Sequence, residues 1–194
     1  MAAELSPVLR DYLVRYQQMA IRETGRRPVT WLREPMDEAL LLPGCTRPGY
    51  AFWQPVPWKN DQAPMGKAAE SFHHSITGYL SMCQFYEIRF QLPVAHTGSP
   101  LSFLYGRVFE CCRNTVSNPP CRMFEEAAMY RREHPEWPLA YCMAATRDGG
   151  DPLLLMLRAE DGEAFVVRAA AQEEPVYLRV GLDRLLPKVQ FVYE

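Results

Sequence analysis

The chain is expected to fold as an α+β domain: a single, mostly antiparallel sheet with helices packed on it. Three features lead there. The first 25 residues carry apolar side chains at helical intervals, the final third carries short apolar runs divided by acidic, Gly and Pro turns, and two further helical patterns fall between strand-like stretches. Strands joined by tight turns pair antiparallel, and helices interrupting them bury their apolar stripe on the face of the sheet. At 194 residues the whole of 1–194 is read as one domain, of a size that buries about 70% of its unfolded surface.

The opening helix rests on Leu9, Tyr12, Leu13, Tyr16, Met19 and Ala20, spaced three to four residues apart. Ser6 suits the cap, Pro7 the first helical position and Gly25 the stop. Residues 26–49, rich in Pro and Arg, read as an irregular connector with a helical turn near 37–42. The stretch from Tyr50 to Trp58 packs four aromatics and a Gln around Pro55 and Pro57. The prolines lack a backbone donor, so a strand over 50–54 must leave the sheet there. Residues 64–83 have helical spacing through Ala68, Phe72, Ile76, Tyr79 and Leu80, weakened by Gly78.

Residues 84–92 alternate like a strand, with Phe85, Tyr86 and Phe90 as core candidates, and residues 97–100 make a turn into a hairpin partner over 101–109. After the break at 117–120, residues 122–134 form a helix with Phe124, Ala127 and Ala128 inward. Glu125 and Glu126 at its start and Arg131 and Arg132 at its end match the macrodipole. A β-meander follows over 139–145, 153–158, 164–170 and 176–180, turned at 148–151, 160–163 and 173–175. The unbroken apolar run 153–157 predicts a central strand covered on both faces. A short amphipathic helix over 182–186 ends at Pro187.

Composition excludes several function classes. No apolar run approaches the roughly 20 residues that span a bilayer, and the N-terminus shows no basic region followed by an apolar core, so a soluble, cytoplasmic protein is expected. A net charge of −2 argues against a nucleic-acid protein held by a basic face. Residues 135–194 carry six Arg/Lys against ten Asp/Glu, an acidic lobe or simply solubilising turns. The six cysteines show no C-x-x-C pair and no zinc spacing, so free thiols are expected, with at most one of Cys111 and Cys112 deeply buried. His73 and His74 point about 100° apart on a helix and cannot share a metal, and His96 and His134 hold no fixed spacing to them. They read as one half-buried and one solvated side chain. The sequence contains no nucleophile elbow, phosphate-binding glycine loop or H-E-x-x-H box. No catalysis, cofactor or metal is expected.

The order of elements, with Phe52-Trp53-Gln54-Pro55 in its middle, resembles the Syd family, whose members interact with SecY at the bacterial inner membrane. The Trp-Gln-Pro-x-Pro pattern stands at Trp53-Gln54-Pro55-Val56-Pro57 and is followed by Trp58. The family's opening helix resembles residues 9–16, its next helix and strand residues 72–85, and its closing elements residues 139–145, 153–158 and 182–189. Where the family has Gln-Phe followed by a Gly and an acid, this chain has Gln84-Phe85-Tyr86-Glu87, and residues 101–121 show little likeness. The resemblance implies a fold of the SUKH superfamily and a concave acidic surface receiving basic cytosolic loops of SecY, with the membrane reached only through that partner. It implies partner-binding roles for Trp53, Gln54 and Pro55, with Asp61 and Glu87 on the acidic surface; Trp53 is equally a core anchor by residue type. An alternative within the same superfamily is an immunity protein that blocks the active site of a partner toxin through an apolar interface. A thiol enzyme, with one cysteine far more reactive than the rest, is a third reading.

Overall fold

Helix α1 (Pro7–Thr24) buries Leu9, Tyr12, Leu13, Tyr16, Met19 and Ala20, the six positions its periodicity marks. Burial of Leu9, Leu13 and Met19 contributes about 1.5–3 kcal/mol each. Gly25 closes the helix in the left-handed region at φ 67°, its N–H reaching the Ile21 carbonyl at 2.7 Å. The computed structural model describes residues 7–32, 36–59, 63–93, 101–146, 151–169 and 174–193. The expectations for Ser6, the 97–100 turn, most of the 148–151 turn, the first residue of the 173–175 turn, and Asp61 lie outside them.

The α+β class is met, and the strands divide between two sheets. A seven-stranded antiparallel sheet runs in the order β10-β4-β5-β6-β7-β8-β9. It comprises β4 (Arg89–Gln91), β5 (Val108–Cys111), β6 (Ala140–Thr146), β7 (Leu153–Arg158), β8 (Ala164–Arg168), β9 (Val176–Tyr177) and β10 (Gln190–Phe191). The strand from Tyr50 belongs to a second sheet of three, order β1-β3-β2, built from β1 (Val29–Trp31), β2 (Leu41–Leu42) and β3 (Tyr50–Trp53). Two of its strands come from the stretch read as irregular. They are two or three residues long and carry too few positions for a period to show.

Strand β7 is central, as its apolar run predicts. Leu153, Leu155 and Leu157 enter the main core, while Leu154 and Met156 join Trp137, Phe165 and Val167 on the opposite face. Its neighbour β6 shifts register between Cys142 and Ala144, so Met143 and Ala144 both enter the main core.

The helix expected over 64–83 is split. Residues Lys67–Ser71 form a 3-10 turn, and α2 spans His74–Ser81. Phe72 and His73 between them are extended because the His73 N–H bonds the Ala159 carbonyl at 2.7 Å, and His73 then caps α2 by accepting from the Ser75 N–H. Tertiary pairing outweighs propensity there. Helix α3 (Pro120–Glu133) starts two residues earlier than expected, with Pro120 at its first position. Glu125 and Glu126 therefore fall in its second turn, beyond reach of the N-terminal dipole, while Arg131 and Arg132 occupy its last turn. Met123, rather than Ala128, completes the buried stripe with Phe124 and Ala127. The expected strand 84–92 survives only as β4: Gln84 pairs with Val56 and Phe85 with Asn114, each an isolated bridge to a different partner. Its β5 partner runs antiparallel in the register Arg89↔Glu110 and Phe90↔Phe109. Residues 182–185 form the short α4, and Pro187 lies inside a 3-10 turn that continues it.

Candidate functional site

A cleft of about 210 Å³ opens where the small sheet meets the β10-β4-β5 edge of the large one. The small sheet contributes Val29, Thr30 and Trp31 from β1, Tyr50 from β3, and Arg47 from the turn before it. The large sheet contributes Arg89 and Glu110, the segment before β4 contributes Glu87, and Val192 and Tyr193 follow β10. Tyr16 of α1 closes the bottom, its hydroxyl 3.4 Å from the Glu87 carbonyl oxygen.

Two carboxylates form the floor, and each holds an arginine. Glu87 Oε1 accepts from Arg113 Nε at 2.6 Å, and Oε2 accepts from the Thr30 hydroxyl at 2.9 Å. The Arg113 guanidinium also donates to the Trp31 carbonyl at 3.4 Å and lies 4.9 Å from the centre of the Tyr86 ring. It ties the edge of the small sheet to the large one. Across β4 and β5, Arg89 Nε donates to Glu110 Oε2 at 2.9 Å. Burial pushes the Glu87 carboxyl up, but the charge of Arg113 and the hydrogen bonds from Arg113 and Thr30 outweigh it and leave the pKa below the ordinary 4.5. A carboxyl depressed in the folded state stabilises fully above its unfolded pKa, and the stabilisation is lost as pH falls through the folded one. Glu87→Gln is therefore expected to flatten the loss of stability with acid below about pH 4.5, measured by urea unfolding at stepped pH. Identical acid profiles for variant and wild type would refute this role for the pair.

The rim is aromatic. Trp31 is 55% exposed and lies over Gly49, where an added Cβ would stand 3.8 Å from the indole nitrogen. Trp31 and Tyr50 are directly paired across β1 and β3, and the Arg47 guanidinium caps the Tyr50 ring at 3.8 Å. Large, stiff aromatics and arginine are the side chains that concentrate binding energy at protein interfaces.

Of the four described residues expected to meet a partner, Glu87 alone lines this cleft. Trp53 is fully buried, which corrects its reading as a contact residue: its indole packs against Tyr16 and Tyr86, at ring separations of 6.0 and 5.8 Å, and anchors the small sheet to the core. Gln54 is half-buried and accepts from Arg27 at 3.0 Å, and Pro55 beside it is half-buried too, so both support β3 outside the cleft lining. Asp61 lies outside the described residues. The cleft lies beside β3, and Arg47, Arg89 and Arg113 balance its carboxylates, so it is mixed in charge rather than acidic. Sequence reasoning missed Trp31, Arg47, Arg89, Glu110 and Arg113. The one available signal was the Glu87-x-Arg89 alternation, which marks a strand with a charged face but not what that face meets.

The thiols and imidazoles stand elsewhere. Burial pushes the Cys83 and Cys111 thiols up to about 12, and Cys111 lies 3.5 Å from the Tyr12 hydroxyl inside the core. All six cysteines are free, with Cys111 buried and Cys112 half-buried. His73 is half-buried and His74 exposed. Among the described residues, no group of three or more His, Cys, Asp or Glu is placed to hold a metal ion. No model of a known protein family matches the chain, and comparison with curated proteins finds no match.

Proposed function

We propose that the chain is a non-catalytic protein-binding domain that receives a segment of a partner protein in the cleft between its two sheets. The observation that carries this reading is the rim: an exposed Trp31 and the Arg47-capped Tyr50 stand over a floor of fixed charges. Such a mouth offers apolar area at little conformational cost, with charged groups already oriented to read a partner's side chains. A floor of alternating sign suits a polar, charged segment better than an apolar one.

In its most specific form, which the Trp53-Gln54-Pro55 motif supports, the partner is a basic cytosolic loop of SecY, whose lysines and arginines address Glu87 and Glu110. Cytoplasmic loops of membrane proteins are rich in these residues. Among the described residues no helix is long and apolar enough to cross a membrane, and on this reading the protein works at the cytoplasmic face of the inner membrane, held there by its partner.

The test is binding of synthetic SecY cytosolic loops, and of SecY in lipid discs, at low and moderate ionic strength. Affinity is expected to fall with salt, and Trp31→Ala to weaken binding at least tenfold, the equivalent of about 1.4 kcal/mol, while leaving the melting temperature unchanged. Absence of binding at low ionic strength would remove the SecY form. Tight, salt-independent capture of a toxin would favour the immunity reading instead.

A further inference from the structure

The pairing of β5 with β6 brings two thiols together on the face of the large sheet turned away from the main core. Cys111 pairs with Ala144, and the Cys112 N–H continues the ladder to the Met143 carbonyl at 3.0 Å, so Cys112 lies opposite Met143 and diagonal to Cys142. Cys111 points into the main core, and by alternation Cys112 points the other way. Strict alternation from Ala144 would turn Cys142 inward as well; with the irregularity in β6, Met143 and Ala144 both turn inward and Cys142 packs with the second cluster, on the Cys112 side. The two side chains hydrogen-bond one another, and Cys142 Sγ also reaches the Ala144 carbonyl at 3.8 Å. Both residues are half-buried, within reach of a small oxidant, whereas Cys83 and Cys111 are sealed in the core.

We propose that Cys112 and Cys142 form a hydroperoxide-sensitive dithiol that closes reversibly into a disulfide across β5 and β6. The Cys112 sulfur attacks the terminal oxygen of the hydroperoxide, the O–O bond breaks, and the departing alkoxide takes up the thiol proton and leaves as the alcohol (water, from hydrogen peroxide). Cys112 is then a sulfenic acid. The Cys142 sulfur attacks the Cys112 sulfur, its proton joins the departing hydroxide, and water leaves as the S–S bond forms. Two thiols and one hydroperoxide become one disulfide, one alcohol and one water, with two electrons passing from sulfur to oxygen. Cys142 takes the resolving part because its hydrogen bond to Cys112, together with burial, holds its proton in place.

The experiment treats the reduced, full-length protein with hydrogen peroxide and maps its peptides without reduction. The expected product is one intramolecular Cys112–Cys142 bridge, with a mass loss of about 2 Da and the disappearance of two titratable thiols, both reversed by dithiothreitol. In Cys142→Ser the sulfenic acid should persist at Cys112 and be captured by dimedone, which the wild type escapes. Stepwise oxidation of Cys112 to sulfinic acid in the wild type, a bridge involving Cys45, Cys121 or a second molecule, or two unreacted thiols would each overturn the proposal. The wild-type map decides by itself if the serine variant does not fold.

Discussion

Trp53→Ala is expected to lower the free energy of unfolding by about 3–5 kcal/mol, the largest single effect foreseen for this protein. The indole is fully buried and touches Tyr16 of α1 and Tyr86 of the segment before β4, so its removal opens a cavity where helix, small sheet and large sheet converge. Neither sheet can collapse into that space without giving up its own register, because β3 is paired on both sides with β1 and β2. Its Nε1 has no hydrogen-bond partner among the described residues, which offsets part of what burial contributes. Trp53→Phe should accordingly cost less than half as much. Urea unfolding measures both, and a loss under about 1 kcal/mol for the alanine variant would show that the small sheet is not anchored through this residue. The comparison with Trp31→Ala is informative: the buried tryptophan is expected to govern stability and the exposed one only affinity.

Asn114→Ala should destabilise the chain by about 2–4 kcal/mol, although it removes only a few atoms. Asn114 is fully buried, and its side-chain amide donates to the carbonyls of Leu80 and Cys83, both at 2.8 Å. Its backbone exchanges two further bonds with Phe85. One residue thus satisfies the end of α2 and fixes the path toward β4. The Leu80 carbonyl retains the Trp58 Nε1 donor at 3.1 Å, so the heavier loss falls on Cys83, whose oxygen loses the donor that Asn114 supplies. The urea midpoint should fall with the slope unchanged. A stability within about 0.5 kcal/mol of wild type would mean that water or a shifted backbone replaces the amide.

Helix α1 and the strands of the meander were legible because each repeats its pattern over enough residues to be counted: six inward positions in α1, five consecutive apolar residues in β7. The small sheet was not, since β1 and β2 form only through β3, and no local period distinguishes Val29-Thr30-Trp31 from a loop. The break at Phe72 and His73 was equally hidden, being caused by a carbonyl 86 positions further along at Ala159. Glu87 was identifiable beside Gln84-Phe85, yet its arginine stands at 113 in a stretch with no recognisable likeness. Trp53 was open to both a core and a contact role, and its burial decides for the core. Composition distinguishes an exposed indole from a buried one poorly, and the residue exposed at the cleft is Trp31.

Strand β10 pairs with β4, and Phe191 packs on Tyr12 and Tyr16 of the first helix. Val192 and Tyr193, just after it, supply one wall of the cleft. A chain made from its N-terminus therefore cannot assemble this mouth while residues 190–193 are still inside the ribosome, whatever else has already folded. On the proposed reading, a partner segment finds its complete cleft only after translation has passed that point.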